Sequence, residues 1–110
     1  MGTAHILVVE DDESLRRVIH ALLERAGYEV GSAADVGQAL EILHRQPHDL
    51  VIADLNLPDA SGMDLLKKVR AEFPETAVVI VTAFGTIETA VEAIRSGAYD
   101  YLTKPVHPDE

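Results

Sequence analysis

The sequence predicts an α/β protein with an open sheet of five parallel strands joined by crossover helices. Short apolar runs alternate with amphipathic helical patterns along the 110 residues, and such alternation is typical of parallel strands. Residues 77–82 are almost continuously apolar, as expected of a strand buried on both faces. Polar residues follow several of these runs directly, and an open α/β sheet binds ligands at the carboxyl ends of its strands.

The apolar run at 4–9 is rich in β-branched residues and predicts the first strand. A helical stripe follows it, formed by Leu15, Val18, Ile19, Leu22 and Leu23. Gly27 is placed to end this helix, because a glycine just past the last turn adopts a left-handed conformation without strain. Residues 28–33 predict the second strand.

The second helix begins with a capping signal, in which Asp35 is followed three residues later by Gln38. Its buried face is expected to consist of Val36, Ala39, Leu40 and Leu43. Pro47 stops this helix, since proline cannot continue the backbone hydrogen bonds. Residues 49–54 predict the third strand.

A loop at 55–62 leads into the third helix, for which Ser61 is the expected cap. The face of this helix is expected to contain Leu65, Leu66, Val69 and Phe73. Pro74 follows the helix, and residues 77–82 predict the fourth strand.

A fourth helix is predicted at 86–95, with Gly97 closing it. Its expected inner face is thin and consists of Ile87, Ala90, Val91 and Ile94. Residues 99–102 predict a short fifth strand, which completes the alternation.

Composition and charge narrow the possible functions. Nine Lys and Arg residues against nineteen Asp and Glu residues give a net charge of −10, which disfavours direct binding to nucleic acid. The chain has no cysteine, so disulfides and thiol chemistry are excluded. It shows neither a membrane-length apolar run nor an export signal. We therefore expect one cytoplasmic domain over residues 1–110, without a membrane partner.

Several polar side chains occupy positions at the ends of the predicted strands, which a parallel sheet brings to one edge. In chain order they are Glu10, Asp11, Asp12, Asp54, Thr82 and Lys104. Clustered carboxylates suit Mg²⁺, and a carboxylate beside bound Mg²⁺ can attack phosphorus. Asp54 is the best candidate nucleophile, because it stands alone at the middle strand. The cation, the Thr82 hydroxyl and the Lys104 ammonium can each take one oxygen of a transferred phosphoryl group.

Each of these residues also has an ordinary explanation when it is considered alone. Acids at 10–13 favour the dipole of a following helix, and Asp12 is a candidate N-cap. Threonine is common in strands, so Thr82 is unremarkable there, Lys104 suits a surface and Tyr101 suits a core. The joint placement favours a phosphoryl-transfer site, whereas Asp12 stays open between the pocket and the cap.

Three stretches together resemble the receiver domain of bacterial two-component response regulators. They are ILVVEDDESLRRVI, DLVIADLNLPDASGMDLL and VVIVTAFGTIETAVEAIRSGAYDYLTKP, and the resemblance extends from Ile6 to Pro105. The last stretch looks most like receivers of the nitrogen-regulator type, which precede an ATPase that activates an alternative-sigma-factor polymerase. The resemblance implies a flavodoxin-like, doubly wound sheet in the strand order 2-1-3-4-5.

The resemblance also implies a fifth helix, whose first turn would begin near Pro108. We therefore expect that helix to be missing or truncated. Apolar side chains of the sheet would then stay partly uncovered, so we expect self-association as a homodimer or a swapped dimer.

The resemblance assigns roles around the acidic residues. Asp54 would be the phosphoacceptor and would take its phosphoryl group from a phosphohistidine on a sensor histidine kinase. Glu10 and Asp11 would be the acidic pair at the Mg²⁺ site, with Asp11 the more direct ligand. Asp54 and the main-chain carbonyl of Asn56 would complete the protein ligands. Such a domain is not an enzyme in the usual sense, because it catalyses only its own phosphorylation and dephosphorylation.

The resemblance further implies a switch. Thr82 and Lys104 would bind the phosphoryl group, and Tyr101 would fill the space that the moving Thr82 hydroxyl vacates. The face of the fourth helix and fifth strand would then change and control an output domain, which is expected to regulate transcription. The peptide bond between Lys104 and Pro105 is expected to be cis, a conformation almost confined to proline.

Two other classes share part of this pattern. Mg²⁺-dependent phosphatases of the haloacid dehalogenase class also use an Asp nucleophile, but they carry a second acid two residues later. That position is Asn56 here, which cannot act as a general acid. A degenerate receiver that acts only as a binding module would lack an acid, the threonine or the lysine, and this chain retains all of them.

Overall fold

The computed structural model describes residues 3–83 and 85–104. Its strands are β1 (His5–Val9), β2 (Glu29–Ala33), β3 (Leu50–Asp54), β4 (Ala77–Thr82) and β5 (Asp100–Thr103). Its helices are α1 (Glu13–Arg25), α2 (Val36–Arg45), α3 (Gly62–Glu72) and α4 (Ile87–Arg95). Neighbouring strands are parallel, and the sheet order is β2-β1-β3-β4-β5, which confirms the flavodoxin-like topology that the sequence predicted.

Two expectations fall on positions that lie outside the described residues. These are the cis peptide bond between Lys104 and Pro105, and the helix turn expected to begin near Pro108. Within the described part of the chain, no helix combines the length and the apolar character needed to cross a lipid bilayer.

The main apolar core joins the sheet to α2 and α3. Leu7, Val51 and Ile80 contribute from the strands, and Leu65 and Leu66 from α3, all fully buried. The predicted buried faces of these two helices are confirmed, with Leu40 and Phe73 at the partly buried margin. Because this core is formed by successive βα units, it aligns the carboxyl ends of β1, β3 and β4 along one edge.

The predicted helix ends are also found in the structure. Gly27 and Gly97 follow α1 and α4 with φ angles of 101° and 103°, the left-handed conformation that glycine adopts without strain. At the start of α2, the Asp35 side chain accepts a hydrogen bond from the N–H of Gln38. The Gln38 side chain reaches back to the N–H of Ala34 rather than to that of Asp35, so the predicted box is displaced by one residue.

The prediction for the inner face of α4 was wrong. Ile87 is 85 % exposed, and Val91 and Ile94 also lie in solvent, while Ala93 is the buried residue and Ala90 is half-buried. The spacing of apolar residues shows that one side of a helix is apolar, but it does not show that anything in the chain covers that side. The apolar stripe of α4 therefore lies on the surface of the described part of the chain.

The stripe on α1 is also less covered than its pattern predicts. Leu15, Ile19 and Leu23 are half-buried against the sheet, whereas Val18 and Leu22 are exposed. No residue of α1 is fully buried. This helix is therefore attached by a partial apolar contact, mainly to β2 and β1.

Candidate functional site

Three carboxylates converge at the carboxyl edge of the sheet. β1 and β3 are neighbours with Val9 opposite Ala53, so the next residues, Glu10 and Asp54, lie side by side. Each of Glu10, Asp11 and Asp54 offers an oxygen within 4.8 Å of the other two. Glu10 and Asp54 are buried, and Asp11 is exposed. The group therefore has two fixed carboxylates and one that faces water.

Lys104 brings a positive charge into this group. Its Nζ donates to Oε1 of Glu10 at 2.5 Å and to Oδ2 of Asp54 at 2.9 Å. The backbone holds Lys104 in place, because Thr103 pairs with Thr82 and the Lys104 N–H donates to the Thr82 carbonyl at 2.9 Å. The structure thus places Lys104 against the carboxylates, as the strand-end argument predicted.

Burial and neighbouring charges both shift the pKa values of Glu10 and Lys104. Burial raises the pKa of Glu10, and the charge of Asp54 raises it further, against the opposing hydrogen bonds from Lys104 and from the Asp12 N–H. For Lys104, burial alone would lower the pKa. The hydrogen bonds and negative charges of Asp54 and Glu10 outweigh burial, so the pKa of Lys104 lies above its ordinary value.

Asp12 lies next to this group but performs a different local task. Its Oδ1 accepts a hydrogen bond from the N–H of Leu15 at 3.1 Å, which makes it the N-cap of α1. Its own N–H donates to Oε2 of Glu10 at 3.1 Å. Of the two roles that the sequence left open, the structure shows the cap, and Asp12 is not among the three grouped carboxylates.

Arg16 supports the site in a way that sequence reasoning missed. Its guanidinium donates to the backbone carbonyl of Glu10 at 2.8 Å from the first turn of α1. This contact restrains the main chain just where the acidic pair begins. Side-chain bonds to a backbone carbonyl leave little trace in a sequence, because a carbonyl is available at every position.

The Asp54 carboxylate is oriented from both sides. Its Oδ1 accepts from the Asn56 N–H at 3.1 Å, opposite the Lys104 contact on Oδ2. Behind it, the start of α3 packs directly on the backbone, since a Cβ on Gly62 would lie 2.2 Å from the carbonyl oxygen of Asp54. A glycine at position 62 is therefore required by close approach rather than by an unusual φ angle.

Thr82 and Tyr101 contact different elements of the structure. Thr82 is fully buried at the end of β4, and the Asn56 side-chain amide donates to its Oγ1 at 3.4 Å. The Tyr101 hydroxyl lies 2.7 Å from Oγ1 of Thr89 in α4. Gly85 leaves room for it, because a Cβ there would lie 2.4 Å from that hydroxyl. Tyr101 therefore joins β5 to the first turn of α4.

The donor set suits a hard divalent cation. Carboxylate oxygens are the ligands that Mg²⁺ prefers, and the exposed Asp11 leaves room for the waters that Mg²⁺ retains. Lys104 supplies one positive charge against three carboxylates, so a further cation would balance the group. Asp54 could then act as a nucleophile towards phosphorus, with Lys104 beside it.

Comparison with known proteins identifies similar sequences over nearly the whole chain. A family model described as the response regulator receiver domain matches residues 6–110. The alginate biosynthesis transcriptional regulatory protein AlgB of Pseudomonas putida is 45% identical over 105 residues, which cover 96% of this chain and 23% of AlgB. The chain spans about a quarter of the length of the curated relatives that it matches.

Solved structures share the same fold. A CheY-like response regulator receiver domain protein from Methanospirillum hungatei JF-1 aligns with a TM-score of 0.94 at 33% identity, covering 98% of this chain and 86% of that one. The beryllofluoride-activated NtrC4 receiver domain dimer aligns with a TM-score of 0.91 at 30% identity, covering 96% and 87%. Both alignments cover nearly the whole chain.

Proposed function

Because the chain belongs to the family of response regulator receiver domains, we propose that Asp54 accepts a phosphoryl group from the phosphohistidine of a sensor histidine kinase. Its relatives include a putative NtrX-like response regulator of Rickettsia bellii, and its structural neighbours include the NtrC4 receiver domain, which supports the nitrogen-regulator resemblance. One observation carries the proposal: Asp54 is grouped with the Glu10 and Asp11 carboxylates at the carboxyl edge of the sheet, and it accepts a hydrogen bond from the Lys104 ammonium. That arrangement serves phosphoryl transfer to a carboxylate and supports a signalling role rather than turnover of a metabolite.

Residues of this chain would carry out each step of the phosphoryl transfer to Asp54. An oxygen of Asp54 forms a bond to phosphorus, the bond from phosphorus to the imidazole nitrogen breaks, and that nitrogen keeps the electron pair. The Asn56 N–H holds the carboxylate in orientation through Oδ1. Lys104 already contacts Oδ2, so its ammonium is placed to bind an oxygen of the arriving group. The Thr82 hydroxyl would bind a second oxygen.

We propose Mg²⁺ as the cofactor. Asp11 and Asp54 would be direct ligands, with Glu10 beside them and the main-chain carbonyl of Asn56 completing the protein ligands. When bound, Mg²⁺ would neutralise negative charge on the phosphoryl oxygens. The fit of three oxygen donors, one of them exposed, supports this assignment.

We further propose that the output surface is the face formed by α4 and β5. Its exposed apolar side chains are Ile87, Val91, Ile94, Tyr99 and Leu102. The hydrogen bond between Tyr101 and Thr89 links this face to the strand that leads to Lys104. The partner would be an output domain or a second copy of the chain. The name of AlgB, a transcriptional regulatory protein, and the NtrC4 receiver dimer support these two partners.

Phosphorylation with a small donor tests the proposal. The chain is incubated with Mg²⁺ and a phosphoramidate, and intact mass is followed with and without EDTA. We expect a base-labile gain of one phosphoryl group that requires Mg²⁺ and maps to Asp54. Asp54→Asn should gain nothing, whereas Asp49→Asn, just before the opposite end of the same strand, should behave as the unmodified chain. A gain by Asp54→Asn at the unmodified rate would show that another residue is the acceptor.

A further inference from the structure

The loop at 55–61 joins β3 to α3 and carries Asn56. Its two ends are held beside the site: the Asn56 N–H donates to Oδ1 of Asp54 at 3.1 Å, and the Gly62 N–H donates to the Leu55 carbonyl at 2.8 Å. Asp59 lies between these ends and is exposed. Asp59 is not one of the three carboxylates grouped at the edge of the sheet.

The carboxylate of Asp59 reaches from this loop to the start of α2. Its Oδ1 accepts from the Val36 N–H at 3.0 Å, and its Oδ2 accepts from the Gly37 N–H at 2.9 Å. The first N–H groups of a helix lack partners within the helix and carry partial positive charge, so a carboxylate is stabilised there. Asp59 thus makes a two-pronged contact between an exposed loop and a helix that is distant in sequence.

The helix has a cap of its own, which leaves these two N–H groups unused. Asp35 accepts from the Gln38 N–H at 2.8 Å and from no other helical N–H of the first turn. The N–H groups of Val36 and Gly37, which do not bond to Asp35, donate to Asp59 instead. The hydrogen bonds from Val36 and Gly37 also lower the pKa of Asp59, so the carboxylate is ionised at neutral pH and the contact is charge-assisted.

We propose that Asp59 is a positioning residue for the metal site, because it ties the 55–61 loop to α2 and so holds the main-chain carbonyl of Asn56 in place. The inference rests on the proposed function, in which that carbonyl is a Mg²⁺ ligand. Pro58 has a restricted φ angle and separates Asp59 from Leu57, so a restraint at Asp59 passes back along a stiff segment. Leu57 and Ala60 of the same loop pack against the apolar core, and Asp59 adds the polar tie from the loop to α2.

A simpler explanation is that Asp59 does no more than cap α2. The chain offers a matched control for this explanation, because Asp35 caps the same helix end through a hydrogen bond from Gln38 of the helix itself. A loss of Asp35 and a loss of Asp59 both weaken the start of α2. Only the loss of Asp59 also removes the hydrogen bonds between the loop and α2.

The test is a Mg²⁺ titration of the 110-residue chain, followed by calorimetry and by the amide NMR spectrum. Asp59→Ala should lower the Mg²⁺ affinity by about tenfold, the lower end of the range for residues that orient metal ligands. Asp59→Asn, which keeps a carbonyl acceptor, should lie between Asp59→Ala and the unmodified chain. Asp35→Ala should leave the affinity unchanged. Amide exchange at Val36 and Gly37 should accelerate in Asp59→Ala, which checks that the tie is broken.

The titrations test the role of Asp59 and the proposed Mg²⁺ binding separately. Unchanged Mg²⁺ affinity in Asp59→Ala would overturn the inference, and so would an equal loss in Asp35→Ala, since capping alone would then suffice. If the unmodified chain itself gave a flat Mg²⁺ titration, the proposed function would fail and this inference would fail with it. The titration of the unmodified chain therefore separates the two failures.

Discussion

Lys104 donates a hydrogen bond to Asp54 at 2.9 Å although β4 lies between the strands that carry them. Asp54 ends β3 and Lys104 follows β5, so the ammonium passes the end of β4 to reach the carboxylate. Lysine can do this because its charge sits on a long flexible stem. The contact pairs one ammonium with two buried carboxylates, so we expect the stability of the metal-free domain to depend on it.

Replacing Lys104 with Met should destabilise the metal-free chain. The change keeps the apolar stem but leaves Glu10 and Asp54 buried without their cation. Breaking a fully buried pair costs about 3–5 kcal/mol, and the partial exposure of Lys104 reduces the expected loss to about 1–3 kcal/mol. Urea unfolding in EDTA measures it. Lys68→Met, on the exposed side of α3, is the control, and equal losses in the two variants would contradict the prediction.

Glu10 should make the stability of the metal-free chain depend on pH. Its folded pKa is raised above 4.5 by burial, so the folded chain holds the proton more tightly than the unfolded chain does. The free energy of unfolding should therefore fall as pH rises from about 4.5 through the raised pKa. Glu10→Gln removes this linkage and should flatten the decline.

Urea unfolding in EDTA at a series of pH values from about 4 to about 7 tests this dependence. Glu13→Gln, on the exposed start of α1, should keep the slope of the unmodified chain. Parallel curves for Glu10→Gln and the unmodified chain would show that Glu10 does not carry the dependence.

Gly62→Ala should damage the fold at the site itself. The added Cβ would lie 2.2 Å from the Asp54 carbonyl oxygen, which is backbone and cannot turn aside. Such overpacking costs about 1–3 kcal/mol and should also displace Asp54. Gly37→Ala, where the new Cβ finds only ordinary contacts, should instead stabilise α2 by about 0.5–1 kcal/mol. Thermal unfolding compares them, and a neutral Gly62→Ala would refute the close approach.

Ile87→Glu should weaken self-association of the phosphorylated chain and leave its folding intact. Ile87 is 85 % exposed on the apolar face of α4, so a charge there costs little in the monomer but opposes an apolar contact. Sedimentation velocity with beryllofluoride and Mg²⁺ measures the association. Val18→Glu, on the exposed face of α1, is the matched control, and a dimer lost only in Val18→Glu would move the interface to α1.

Tyr101→Phe should loosen the start of α4. The change removes the hydroxyl that contacts Thr89 at 2.7 Å and keeps the ring, so the loss should be about 0.5–1.5 kcal/mol. Hydrogen exchange should show faster exchange in the first turns of α4. Tyr99→Phe alters a 79 % exposed side chain and should leave the exchange unchanged. Equal exchange in both variants would mean that the hydroxyl does not tie the strand to the helix.

Local patterns along the chain were enough to predict the order of the elements and the residues at the strand ends. Runs such as 77–82, the stripe of α2 and the glycines at 27 and 97 are local patterns, because they depend on neighbours along the chain. Parallel strands then follow from the alternation, and so does the meeting of Asp54 and Lys104 at one edge.

The surfaces that these residues cover and the donors that they bind became evident from the packed fold alone. Ile87 faces solvent, although the spacing of the apolar residues in α4 predicted that it would lie on an inner face. In the fold, Asp12 caps α1, Asp59 accepts hydrogen bonds from the start of α2, and the Tyr101 hydroxyl bonds to Thr89. A periodic pattern makes one side of a helix apolar without specifying what covers it. A carboxylate or hydroxyl likewise binds whichever donor the packed elements bring within reach, and that donor is set by the fold rather than by its neighbours in sequence.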